Sequence, residues 1–152
     1  MKVVALVLAI FAGHFFSASV AEATDVMPIA KFVVTGDGIA APLTPIAGDV
    51  PRGRAIVVNG RVGMCLLCHQ ALIFEAIFQG NLAFSIVGVA SRSTAAQLRL
   101  RLIDGRRLNP DSIMPSYYRV DGLTRVGDAW QSRPILDAQQ IEDVVAYLLT
   151  LK

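Results

Sequence analysis

The sequence predicts an all-α domain in which short helices are joined by long loops. Three patterns lead to this. Ile141, Val144, Val145 and Leu148 fall at i, i+3, i+4 and i+7, the spacing that lines one helical face with apolar side chains. Thr94 and Gln97 form a Thr-x-x-Gln capping box at the head of a second apolar run. Residues 31–35 alone read as a short strand, and the other alternating stretch, Leu98-Arg99-Leu100-Arg101-Leu102, is claimed for a helix by that capping box. With 152 residues, the chain can bury one core.

The elements follow in chain order. Lys2 precedes an apolar run through Phe16, which gives way to Ala21-Glu22-Ala23, a small-x-small cleavage pattern. Residues 1–23 therefore read as a secretory signal, and the mature chain is expected in an exported compartment. The run is shorter than the ~20 residues a bilayer span needs, and it contains Gly13 and His14. The mean hydropathy of +0.54 is inflated by this segment and does not point to a membrane protein. Residues 24–48, rich in Pro, Gly, Ala and Thr, read as an extended N-terminal arm. The folded domain spans 49–152. Asp49 caps its first helix, Pro51 suits the first turn, and Asn59-Gly60 ends it. The second helix begins at the capping box and stops at Gly105. A loop follows, with Pro110 and Pro115 around Met114. Asp137 caps the last helix, with Gln140 three residues on.

The chemistry lies in Cys65-Leu66-Leu67-Cys68-His69, which holds both cysteines of the chain. Two thiols at this spacing serve zinc, a redox disulfide or covalent haem. A structural zinc site wants four protein ligands. Once His14 leaves with the signal, the mature chain offers two Cys and one His. A thioredoxin-like dithiol sits between a strand and a helix in a βαβ unit, and no such pattern surrounds residues 60–75. Cys-x-x-Cys-His is the attachment signature of haem c. Cys65 and Cys68 would form thioethers to its vinyl groups, and His69 would supply one axial iron ligand. This attachment is made outside the cytoplasm, in agreement with the signal.

The second axial ligand is then sought among methionines. Met64 is too close in chain to reach the opposite haem face, and Met27 lies in the arm. Met114 is presented by the proline-stiffened loop, and its thioether with His69 would give His/Met ligation, which favours electron transfer at a raised potential. The competing reading is a core methionine filling a gap. With 14 basic and 12 acidic residues and no RNA- or DNA-binding motif, nucleic acid is not an expected partner.

Five segments together carry a family resemblance. They are residues 53–57, the motif 65–69, residues 96–101, the stretch Arg107-Leu108-Asn109-Pro110-Asp111-Ser112-Ile113-Met114-Pro115-Ser116-Tyr117-Tyr118, and residues 139–148. The chain resembles SoxX, the mono-haem subunit of the sulfur-oxidising cytochrome SoxAX, from about Lys31 to the C-terminus. The resemblance implies a class I cytochrome c-like fold over 49–152, one haem c, and His69 and Met114 as axial ligands. It also implies a periplasmic heterodimer with SoxA that couples thiosulfate to a cysteine of the carrier SoxYZ, as an L-cysteine S-thiosulfotransferase, and passes electrons to a c-type cytochrome acceptor. The alternative is a free-standing periplasmic carrier of the same fold. Many cytochromes of this fold place a Gly-Pro after the motif, whose carbonyl orients the proximal imidazole. Residues 79–88 hold no proline, which leaves that carbonyl unassigned.

Arg99, Arg101, Arg106 and Arg107 gather charge near the methionine loop, either as a docking surface or as a solvated helix face. Trp130, Tyr117, Tyr118, Phe74, Phe78 and Phe84 are expected to pack in the core or the haem pocket.

Overall fold

The computed structural model describes residues 29–152. The predicted signal segment, His14 and Met27 lie outside the described residues. Three α-helices form the frame: α1 (Val50–Val58), α2 (Ala95–Asp104) and α3 (Ala138–Leu148). Short 3₁₀ turns at Cys65–Leu67, Val89–Ser91, Gly105–Arg107 and Asp128–Trp130 punctuate the loops.

The caps are those the sequence predicts. The Asp49 carboxylate accepts from the Arg52 N–H at 2.8 Å. Both halves of the capping box form at α2, Gln97 N to Thr94 Oγ1 at 3.3 Å and Thr94 N to Gln97 Oε1 at 2.8 Å. Asp137 and Gln140 do the same at α3. Each box satisfies two backbone donors that a helix start otherwise leaves unpaired. The end of α2 differs from expectation. Asp104, at φ −157° and ψ 78°, leaves the helical region, and Gly105, at φ −59°, opens a 3₁₀ turn and provides no left-handed cap.

Packing centres on α3. Ile141, Val144, Val145 and Leu148 are buried against α1 and α2. At the α1 crossing a Cβ on Gly53 would stand 1.9 Å from the Asp143 carbonyl oxygen, so only glycine lets the two backbones approach this closely.

The apolar contacts are supplemented by two carboxylates on α3. Arg99, only 6% exposed, grips Glu142 through two bonds, Nε–Oε1 at 2.7 Å and Nη2–Oε2 at 2.9 Å. Asp143 takes Arg52 Nε at 2.7 Å and Nη2 at 2.9 Å, together with the Asp49 N–H at 2.8 Å. Arg99 is therefore neither a docking charge nor part of a solvated face. The α2 register turns it toward α3, where a buried partner neutralises it.

The described part of the arm is fastened to the same network. Arg99 Nη1 donates to the Ile39 carbonyl at 2.7 Å, and the Leu43 N–H donates to Glu142 Oε1 at 2.9 Å. Ile39 itself is fully buried. The short strand expected at 31–35 does not form. Only an isolated antiparallel bridge joins Thr35 to Gly38, and Phe32 packs at a tilt on Tyr118. Phe32 and Val34 are spent on the core surface while Val33 faces outward, with no second strand beside them among the described residues. No helix among the described residues is long and apolar enough to cross a membrane.

Candidate functional site

The site begins where α1 ends. The Asn59 carbonyl accepts from the N–H groups of Gly63 and Met64, both at 3.1 Å, and folds the chain back sharply. A Cβ on Gly63 would lie 2.2 Å from the Ile56 carbonyl oxygen, so this position must be glycine. Met64 follows in the left-handed region at φ 54°, unusual for a residue with a side chain. It launches the 3₁₀ turn Cys65–Leu67, which His69 N closes by donating to the Cys65 carbonyl at 2.9 Å. Two thiols and an imidazole thus leave a single turn, pinned by the buried Leu66. Burial pushes the Cys65 thiol up to about 11, an effect the nearby Tyr117 hydroxyl partly offsets.

His69 Nδ1 lies 2.6 Å from the Phe84 carbonyl oxygen. A carbonyl only accepts, so Nδ1 carries a proton, and Nε2 is the ring nitrogen left to bind a metal. The carbonyl that the sequence left unassigned within 79–88 is therefore that of Phe84. Its loop is zipped onto the cysteine turn by Gly80 N to Leu66 O at 2.7 Å, Ala83 N to Cys68 O at 3.0 Å, and Ile86 N to Gln70 O at 2.9 Å. The Arg92 guanidinium adds bonds to the carbonyls of Ser85 at 3.0 Å and Val87 at 2.9 Å. These five bonds supply the stiffness a proline would give. Arg92 carries no motif in the sequence, so only the folded chain reveals it.

Met114 lies in a loop shaped by Ser112 N to Asn109 O at 3.0 Å and Met114 N to Ser112 Oγ at 3.3 Å. Its side chain is half-buried and packs on the core. Tyr117, three residues on, is buried and donates its hydroxyl to the Gly63 carbonyl at 2.6 Å. This bond brings the methionine loop to the cysteine turn across 54 residues of chain. Met114 and Met64 also share a groove of about 400 Å³ with Trp130 and with Arg61, Arg106, Arg119 and Arg133. Of the predicted arginine cluster only Arg106 reaches this groove. Arg101 is exposed elsewhere on α2, and Arg107 stands 3.9 Å from Asp104. Arg61, Arg119 and Arg133 are far apart in sequence and gave no local signal.

The aromatics divide into two groups. Tyr117 and Tyr118 are buried as expected, whereas Trp130 is half-exposed at the groove. Of the two placements expected for Phe74, Phe78 and Phe84, core or haem pocket, the protein core does not take them: they are 90%, 92% and 93% exposed in the polypeptide alone. Their loop is organised from within by the Gln79 amide. It accepts from Ala71 N at 2.6 Å and donates to the carbonyls of Ile73 and Ala76, each at 2.9 Å, so the phenyl rings are left outside.

The donor set fits a covalently attached haem c. It provides two thiols and an imidazole on one turn, the imidazole oriented with Nε2 left for a metal, and a thioether loop tied to that turn.

No family model matches the chain, and no curated protein matches it. A solved structure, SoxXA from P. pantotrophus, matches with a TM-score of 0.74 and 36% identity. The match covers 80% of this chain and 94% of that chain.

Proposed function

This chain belongs to the SoxX family of cytochromes, and on that premise we propose that it is the mono-haem electron-relay subunit of a periplasmic heterodimer with a SoxA-like partner. The observation that supports this most is the His69 Nδ1 bond to the Phe84 carbonyl, which orients the ring so that Nε2 is the nitrogen available to iron.

Cys65 and Cys68 would hold one haem c as thioethers, with His69 and Met114 as axial ligands. When bound, this group supplies a one-electron iron couple. The chain's own residues do the rest. The Phe84 carbonyl orients the imidazole and raises its basicity. The Met114 thioether, a weak soft donor, would favour the reduced metal and raise the potential. With His69 and Met114 both holding the iron, the site would relay electrons and would not activate a small ligand.

With both thiols in thioethers, the chain retains no cysteine on which to carry sulfur. The oxidative coupling of thiosulfate to a SoxYZ-like carrier cysteine therefore occurs on the partner. This chain accepts the electrons and passes them to a c-type cytochrome. A purified chain, free of the SoxA-like subunit, that conjugated thiosulfate to the carrier would overturn this division.

Met114→Ala tests the ligation. The oxidised protein is expected to lose completely the weak sulfur-to-iron band at the red end of its visible spectrum, and its potential is expected to fall. If the band and the low-spin spectrum persist, Met114 is not a ligand.

A further inference from the structure

The Met114 side chain packs on the core from a loop outside the helices, and the ties of that loop decide where its sulfur lies. The loop leaves α2 at Asp104 and meets the frame again at Tyr117. There the backbone is fixed on both sides, Tyr117 N to Leu102 O at 2.9 Å and Leu136 N to Tyr117 O at 2.9 Å. Ser116 Oγ reaches Asp104 only at 3.3 Å. None of these bonds touches the cysteine turn. The Tyr117 hydroxyl does, at 2.6 Å from the Gly63 carbonyl, two residues before Cys65. Its acceptor is rigid. Gly63 is jammed against the Ile56 carbonyl, and Met64 beyond it is locked in a left-handed conformation.

We infer that Tyr117 is a positioning residue, whose hydroxyl bond to Gly63 fixes the distance between the Met114 loop and the cysteine turn and so keeps the Met114 sulfur on the iron. The inference rests on the His69/Met114 ligation proposed above. The backbone bonds of Tyr117 hold the loop's register along α2. The hydroxyl bond opposes its swing away from the turn. The Gly63 carbonyl otherwise accepts only from the Cys65 thiol at 3.3 Å, a donor lost when that sulfur becomes a thioether. Loss of the Tyr117 bond would therefore leave a buried carbonyl unpaired in the haem-bearing protein and remove the side-chain hydrogen bond that joins the two segments among the described residues.

The test is the rate at which imidazole captures the oxidised holoprotein, because capture requires the sulfur to leave first. Tyr117→Phe keeps the ring and the backbone bonds and is expected to speed capture roughly tenfold, with the sulfur-to-iron band fading at lower temperature. Tyr118→Phe is the control. It loses an equally short bond, from Ala30 N to the Tyr118 hydroxyl at 2.6 Å, which ties the loop to the N-terminal arm and not to the cysteine turn. It is expected to lower the unfolding midpoint and leave capture unchanged. Wild-type capture rates in Tyr117→Phe, or equal acceleration in both variants, would overturn the inference. If Tyr117→Phe yields no holoprotein, the Tyr117 hydroxyl proton is followed by NMR in the unaltered protein as imidazole displaces Met114. Loss of its protection in step with the band supports the inference, and retained protection overturns it. A wild-type protein with no sulfur band brings down the ligation itself, and this is seen before any variant is made.

Discussion

The helical frame and the loops around the cysteine turn are held together by different forces. In the frame, apolar faces of α1, α2 and α3 bury one another, and the residual charges are paired inside, Arg99 with Glu142 and Arg52 with Asp143. In the loops from 60 to 92 only a few apolar anchors such as Leu66, Ile73 and Ile86 are buried and most other ties are hydrogen bonds, while Leu72, Phe74, Ile77, Phe78, Leu82 and Phe84 stay exposed. A run of exposed apolar side chains this dense on a small domain marks a surface that something else covers. The difference teaches where each region's stability comes from. The frame rests on apolar burial and internal charge pairs, and the loops rest mainly on hydrogen bonds.

This contrast can be broken at the frame first. Glu142→Ala would leave Arg99 charged, buried and without its carboxylate, and would free Leu43 N. It is expected to cost about 3–5 kcal/mol in a urea titration. A loss under 1 kcal/mol would mean that the frame does not depend on its internal charges.

The next effect is graded with pH. Burial alone would raise the Asp143 carboxyl, but the Arg52 guanidinium, the Asp49 N–H and the Gln139 amide outweigh it and hold the carboxyl below its ordinary value of 3.8. A carboxyl depressed in the folded state stabilises fully above its unfolded pKa and loses that contribution as pH falls through the folded one. The unfolding midpoint of the wild type should therefore fall more steeply than that of Asp143→Asn as pH drops through and below the ordinary carboxyl value of 3.8. Parallel curves would remove Asp143 from the frame's charge network.

The smallest effect belongs to the loops. Gln79→Ala removes three amide bonds from a stretch whose backbone water can reach, at an expected cost of about 1 kcal/mol or less. Its signature is local. Amide exchange should quicken over residues 70–80 while the frame stays protected. Uniformly faster exchange would merge the two regions into one cooperative unit.

Much of the frame was legible in the sequence because helix starts are local. Asp49, Thr94 with Gln97, and Asp137 with Gln140 each satisfy donors two or three residues away, and the α3 stripe repeats within eight residues. The haem motif was legible for the same reason, since its thiols and imidazole share one turn. The loops were harder to read. The phenylalanines at 74, 78 and 84 looked like core because hydrophobicity alone does not say which way a loop side chain points. The alternating leucines and arginines of α2 gave no sign that Arg99 turns inward to α3.

The sequence by itself determined an all-α chain, its three helix starts, and the single turn carrying Cys65, Cys68 and His69, because each depends on contacts within a few residues. Only the tertiary structure decided that Phe84 supplies the carbonyl for His69, that Glu142 buries Arg99, and that Tyr117 reaches Gly63. These partners are 15, 43 and 54 residues apart. They meet only after the helices have packed, and no local pattern encodes the meeting.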